Sequence, residues 1–339
     1  MKKILIASLF TALAVSSFAQ IDKILADPDV IWAAEAEYVS KPDVVEPVPG
    51  GDRGFLSSMV LKNTPAQPDK LYSDIFNLSG ILLDLAQRPD QAVFEDPQLQ
   101  HRLSMDEVLS KVSRLDTVIT FDPETFEDPV RVNRSFLMPG ECAQIHARQL
   151  LYYREKTAEF GLQTLALGLA RNDGTVLFWF QAPAPAQPAP DVTDPSVVWG
   201  RRVGLQNVLI ELGDMKTLKQ TANPFPQVFL DRVMKDPQID IFDGKNWSTP
   251  ARGDDRDNLC YATDTIVTFN PETYEEHVQI LRMEFNATNI RLGVVQDWYW
   301  DDRRERLIIK PLAVCPIIHQ MDADGNYLFS RPIFYRKIK

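Results

Sequence analysis

Residues 119–130, ITFDPETFEDPV, and residues 267–278, VTFNPETYEEHV, are two versions of one twelve-residue pattern set 148 positions apart. The offset extends well beyond the quoted stretch. Pro89 meets Pro237, Phe94 meets Phe242, and DTVITFDPETFEDPVRVNR from Asp116 meets DTIVTFNPETYEEHVQILR from Asp264, with Arg134 opposite Arg282. Further out the spacing drifts: Asp27, Pro28, Val30 and Trp32 match Asp194, Pro195, Val197 and Trp199, while Leu165 and Ala166 match Leu312 and Ala313. Insertions account for the drift. A period this long exceeds the roughly 20–50 residues of a solenoid repeat and predicts two tandem domains of similar fold, each with its own core.

The boundaries follow from composition. QAPAPAQPAPDV, starting at Gln181, alternates proline with alanine, which favours extended polyproline II over packing, so residues 181–193 read as a semi-rigid linker. It separates a first, divergent module at 27–180 from a second at 194–339. Within each module helices come early. Leu71, Ile75, Leu78, Leu82 and Leu85 recur at helical spacing before Pro89, and Phe225, Phe229 and Val233 do so before Pro237. Ser104 and Glu107 form a capping box that opens a second helix in the first module; Arg252 and Asp255 stand there in the second, which weakens the signal. Strands follow. TVITF is β-branched and aromatic, Asp122 or Asn270 before proline starts a turn, and VRV or VQI resumes extended chain. The Asx-Pro-Glu-Thr centre therefore has a purely structural explanation. VVQDWYWDDRRERLIIKPLAV reads as two strands joined at 301–304, and DADGNYLF as an Asp-Gly turn before a final strand. The expected fold class is α+β: two tandem similar modules, each with early helices and a mostly antiparallel sheet.

Compartment and charge narrow the partners. MKKILIASLFTALAVSSFAQ carries two lysines, an apolar stretch and small residues at Ser17 and Ala19, the pattern of a secretory leader cleaved after Ala19. No cysteine follows that position, so lipidation there is not expected, and no later run reaches the roughly 18–20 apolar residues of a membrane span. There are 36 basic and 47 acidic residues, net −11, and loss of Lys2 and Lys3 with the leader makes it −13. Such a surface repels nucleic acid and anionic lipid and draws in basic proteins. Three cysteines, Cys142, Cys260 and Cys315, leave at least one unpaired within a chain, and a Cys260–Cys315 bond is one option.

Catalytic motifs are lacking. The sequence has no glycine-rich phosphate loop, no G-x-S-x-G and no H-E-x-x-H; its four histidines are scattered. DADGNY fails as a calcium loop, because Tyr327 stands where glycine is required and Ile333 where a bidentate glutamate is required. Asp297, Asp301 and Asp302 flank an aromatic strand, as paired acids do in glycosidases, but at an offset of 147 Asp301 and Asp302 meet Arg154 and Glu155. No enzyme activity, cofactor or metal is expected. Trp298 and Trp300 share a strand face, which suits either a glycan or a core. Leu151 and Tyr153 hold the matching positions, which favours the core.

DTIVTFNPETYEEHVQILR, then QDWYWDDRRERL, then IIKPLAVCPII, resembles the GldN (PorN) family of gliding motility and type IX secretion. Asp297, Trp298, Tyr299, Trp300, Asp301 and Arg303 are the candidate interaction or structural motif; all but Trp300 carry the most specific part of the match. The resemblance covers the second module well and the first weakly. It implies a non-enzymatic periplasmic scaffold, attached peripherally to the outer membrane through a partner. It further implies binding to an outer-membrane lipoprotein of the PorK/GldK type and contact with a periplasmic motor domain, in a homo-oligomer or ring. The alternative is a periplasmic glycan- or peptidoglycan-binding protein using the Trp298–Trp300 face.

Overall fold

The computed structural model describes residues 21–42, 59–62, 78–119, 130–182, 191–204, 216–220, 222, 225–244, 247–269, 272–273, 275–283, 290–321 and 327–338. The leader at 1–19, the turn residues 122–125 and 270–271, the helix start at 71–77, the linker residues 183–190 and the Asp-Gly turn at 322–326 lie outside them.

The first half runs β1 (Val30–Ser40), β2 (Met59–Lys62), α1 (Leu78–Ala86), α2 (Met105–Val112), β3 (Ser113–Ile119), β4 (Val130–Phe136), β5 (Gln144–Arg154), β6 (Glu159–Ala170) and β7 (Val176–Gln181). The second half repeats the order: β8 (Val197–Gly204), β9 (Lys216–Lys219), α3 (Phe225–Lys235), α4 (Gly253–Cys260), β10 (Ala262–Phe269), β11 (Glu276–Met283), β12 (Ile290–Asp301), β13 (Arg306–Met321), β14 (Tyr327–Pro332) and β15 (Arg336–Lys337). The fold is mixed α/β, with every described strand pairing antiparallel.

Local chemistry explains the helices. At α2, the Ser104 amide donates to the Glu107 carboxylate at 2.7 Å and the Glu107 amide donates to Ser104 Oγ at 3.3 Å, the reciprocal box that the spacing predicts. α4 forms without a side-chain cap at Arg252. Its anchor is the buried Arg256 guanidinium, which donates to the carbonyl of Val233 in the last turn of α3 and to those of Asp236 and Ile239 just beyond it. Sequence patterning missed that device because its partners lie about 20 residues away.

The long hairpins β5–β6 and β12–β13 share one register. Arg148 faces Ala166 and Gln149 faces Thr164, leaving Leu165 bulged; Val295 faces Ala313 and Gln296 faces Pro311, leaving Leu312 bulged. Their turns end on Ala158 at φ 50° and Glu305 at φ 47°, both 147 residues apart in sequence and both in the region usually left to glycine.

The sheets are built by exchange between the halves. One has the order β7-β6-β5-β1-β9 and the other β14-β13-β12-β8-β2, with β15 beside β13, so each half lends a four-residue strand to the other's sheet. Lys62 lies opposite Gly200, and Lys219 opposite Ala33. Each lysine then caps the start of the strand it joins: Lys62 Nζ donates to the Asp194 carbonyl at 2.8 Å, and Lys219 Nζ to the Asp27 carbonyl at 2.8 Å and to that of Leu25 at 3.0 Å. The added strands cover the backbone edges of β1 and β8, which would otherwise invite foreign strands.

Helix α3 crosses over as well. Phe225 stacks on Trp32 of β1 with ring centroids 4.1 Å apart, and Phe229 meets Phe160 of β6 at 4.9 Å and Tyr153 of β5 at 5.7 Å. Burial pushes the Tyr153 hydroxyl up to about 12. Arg88, just beyond α1, pairs with Glu305 in the β12–β13 turn at 2.7 Å. The expectation of a separate core in each half is thereby corrected: the largest apolar cluster holds Trp32, Leu151 and Phe178 together with Phe229, Trp298 and Phe334. The physical reason is the exchange, which makes each half's helix and strand part of the other's interior. All three cysteines are buried and free, which also removes the Cys260–Cys315 bond.

Candidate functional site

The motif residues sit at the end of β12, between β8 and β13. Alternation along the strand sends Trp298 and Trp300 inward, at 0% and 3% exposure, into the shared core. No ring face is left for a glycan: both indoles are core residues.

The opposite face carries charge. Asp297, only 4% exposed, receives two hydrogen bonds from Arg202 of β8, Nε to Oδ1 at 2.8 Å and Nη2 to Oδ2 at 3.0 Å. Tyr299 donates its hydroxyl to Asp297 Oδ2 at 3.0 Å. The hydrogen bond to Asp297 raises the Arg202 pKa, while burial raises that of Tyr299. Such a bidentate pair offsets the cost of burying the Asp297 carboxylate.

Asp301 is buried at the turn. Burial pushes its carboxyl up, but the side-chain and backbone hydrogen bonds from Arg304 outweigh this and hold it below the ordinary value. Arg304 Nη1 donates at 2.7 Å and the Arg304 amide at 3.2 Å. Arg303 is exposed on the same turn. Asp297, Trp298, Tyr299, Trp300 and Asp301 thus fix the strand end and its turn, and Arg303 is the member of the six that faces solvent.

One polar group in the core escaped sequence reasoning. Gln149 of β5 and Gln296 of β12 are buried and trade amide hydrogen bonds: Gln149 Nε2 donates to Gln296 Oε1 at 3.0 Å, and Gln296 Nε2 to Gln149 Oε1 at 2.9 Å. Trp298 Nε1 donates to Gln296 Oε1 at 3.1 Å, and the Tyr38 hydroxyl lies 3.1 Å from Gln296 Nε2. The two glutamines are 147 positions apart, the offset already visible at Leu165 and Leu312. That coincidence, two polar residues at matched places in apolar strands, was the signal available in the sequence. A satisfied polar knot in an apolar interior fixes the alignment of the elements that carry it.

Exposed apolar surface lies elsewhere. Leu115, Val132, Phe136, Val267, Phe269 and Val278 are 50–63% exposed, on the ribbons β3–β4 and β10–β11. Among the described residues, no helix is long and apolar enough to cross a membrane, and no group of metal-ligating side chains gathers.

Residues 193–337 match the family model described as gliding motility associated protein GldN. The comparisons with curated proteins and with solved structures return no match.

Proposed function

On the premise that the chain belongs to the GldN family through residues 193–337, we propose that it is a non-catalytic structural subunit of the gliding-motility and type IX secretion apparatus. It works in the periplasm, bound to an outer-membrane lipoprotein of the PorK/GldK type and facing a periplasmic motor domain. The family match carries this reading. The buried carboxylates of β12 support a structural role for the motif, because Asp297 is held by Arg202 and Tyr299, and Asp301 by Arg304. Residues 27–180 are a divergent copy of the same module. The shared element order, the shared register of the two long hairpins and the matched positive φ at Ala158 and Glu305 support the duplication.

The test is fractionation with a tag at the native locus. The expected result is retention with outer membranes, co-purification of a lipoprotein, and loss of gliding or of type IX cargo secretion when the gene is deleted. A freely soluble protein in every fraction, with secretion unchanged by the deletion, would overturn the reading.

A further inference from the structure

The two long hairpins share their register but not their side chains, and one difference leaves a cavity in the first half. Alternation along β5 turns Leu151 and Tyr153 into the shared core, and Leu150, Tyr152 and Arg154 to the opposite face of the sheet. A short helix at 21–26 lies on that face, with Ile21 packed against Val30, Leu150 and Leu165. Beside this helix and the hairpin is a cavity of about 540 Å³, whose lining includes Lys23, Ile24, Asp27, Tyr152, Arg154 and Leu162. Small-molecule sites have volumes of roughly 300–1,000 Å³.

The second half, compared at the 147-residue offset, shows what makes the room. Tyr152 and Gly161 correspond to Tyr299 and Ile308, and each tyrosine faces its counterpart across the hairpin. Ile308 is buried with Tyr299 and Val197, with Leu61 packed against them, and the Tyr299 hydroxyl turns back to Asp297 at 3.0 Å. In the first half Leu150 stands where Asp297 does, so Tyr152 has no carboxylate there to hold it. Its ring lies over Gly161 instead, where an added Cβ would collide with it.

The charge of the lining is opposite to that of the chain. The Arg154 guanidinium carbon is 4.9 Å from the Tyr152 ring centroid, and Nε donates to Asp27 Oδ2 at 3.3 Å. Asp27 and Tyr152 are its partners among the described residues, which leaves some of its five N–H donors for a ligand. Lys23 is exposed and has neither an ion pair nor a hydrogen bond among the described residues. Two cations against one carboxylate leave a surplus of one positive charge, in a chain of net −11.

We propose that this cavity binds a ligand with a single carboxylate and an apolar group. The carboxylate takes donors from Arg154 and Lys23, and the apolar group rests on Ile24, Leu162 and the Tyr152 ring. A singly charged group matches the surplus, whereas a phosphate, at about −1.5 to −2 near pH 7, exceeds it and meets Asp27. A free carboxylic acid and the C-terminal residue of a peptide share this chemistry. The lining residues lie outside the matched stretch 193–337, so the site does not rest on the family reading.

The experiment is isothermal titration calorimetry of the full chain with N-acetylphenylalanine, its carboxamide and a tripeptide ending in phenylalanine, with circular dichroism melts as the folding control. The acid should bind saturably, and the carboxamide about tenfold more weakly or worse. Lys23→Gln should weaken the acid by about fivefold without moving the melting curve. Gly161→Ile should abolish binding by forcing Tyr152 off its glycine, and Lys23→Gln keeps the test decisive if that variant unfolds. Tighter binding of the tripeptide would identify a chain end as the ligand, and its exclusion a free acid; both support the site. No saturable binding of either acid, equal binding of acid and carboxamide, or a Lys23→Gln variant that binds like the wild type would each overturn the proposal.

Discussion

Trp32 and Phe225 allow a direct measurement of how far the halves share one interior. They come from opposite halves, stack at 4.1 Å with planes 8° apart, and are 3% and 5% exposed. Truncating either ring to alanine removes a buried aromatic and costs about 3–5 kcal/mol. For a chain of this length the unfolding entropy is about 0.7 kcal/mol/K, so a loss of about 4 kcal/mol lowers Tm by about 6 °C. The double variant should cost less than the sum of the singles by about 0.5–1.5 kcal/mol, the direct coupling of a stacked pair. Scanning calorimetry, with urea melts followed by tryptophan fluorescence, reads both quantities. A single transition that moves as a whole is expected. Two separable transitions, with Trp32→Ala shifting only one, would refute the shared core; so would strict additivity of the two truncations.

Three shorter tests address the chemistry around that core. Arg202→Met should cost about 3–5 kcal/mol by stranding the buried Asp297 carboxylate, and D297L in the same chain should recover most of it in urea melts. Because the folded pKa of Asp301 lies below its usual 3.8, its contribution to stability is full above about that pH and is lost as pH falls through the folded value; Asp301→Asn should flatten the acid limb of a Tm-against-pH curve. Burial pushes the Cys315 thiol up to about 12 and that of Cys142 to about 11, so native protein at pH 8 should resist iodoacetamide, whereas three equivalents should react in urea by mass spectrometry.

Much of the fold was legible because its signals are local. The helical spacing of Phe225, Phe229 and Val233 lies within α3, and the run QDWYWDDRRERL marks the strand ends, although the turn falls at 302–305, one residue later than read. The burial of Trp298 and Trp300 followed from the apolar residues at Leu151 and Tyr153. What the sequence hid is non-local. The four-residue strands β2 and β9 carry too little periodicity to register as strands, and nothing in MVLK or KTLK says which sheet will take them. Arg256 and Arg202 look like ordinary surface cations until their partners, carbonyls on another helix and a carboxylate on another strand, are placed beside them. The six-residue motif drew attention because it is distinctive in composition, yet five of its members serve the strand end. The exposed ribbon faces drew none, since alternating apolar residues are what an ordinary half-buried strand also shows.

The exchanged strands set an order of events during synthesis. β1 must wait for β9, which begins 176 residues after β1 ends, and at 5–20 residues per second the ribosome takes roughly 9–35 s to supply it. Until then the first half has an open edge and lacks the Phe225 and Phe229 rings that fill its interior. A nascent chain held incomplete for that long keeps its first sheet unfinished, and reaches its final form only after most of its length has been made.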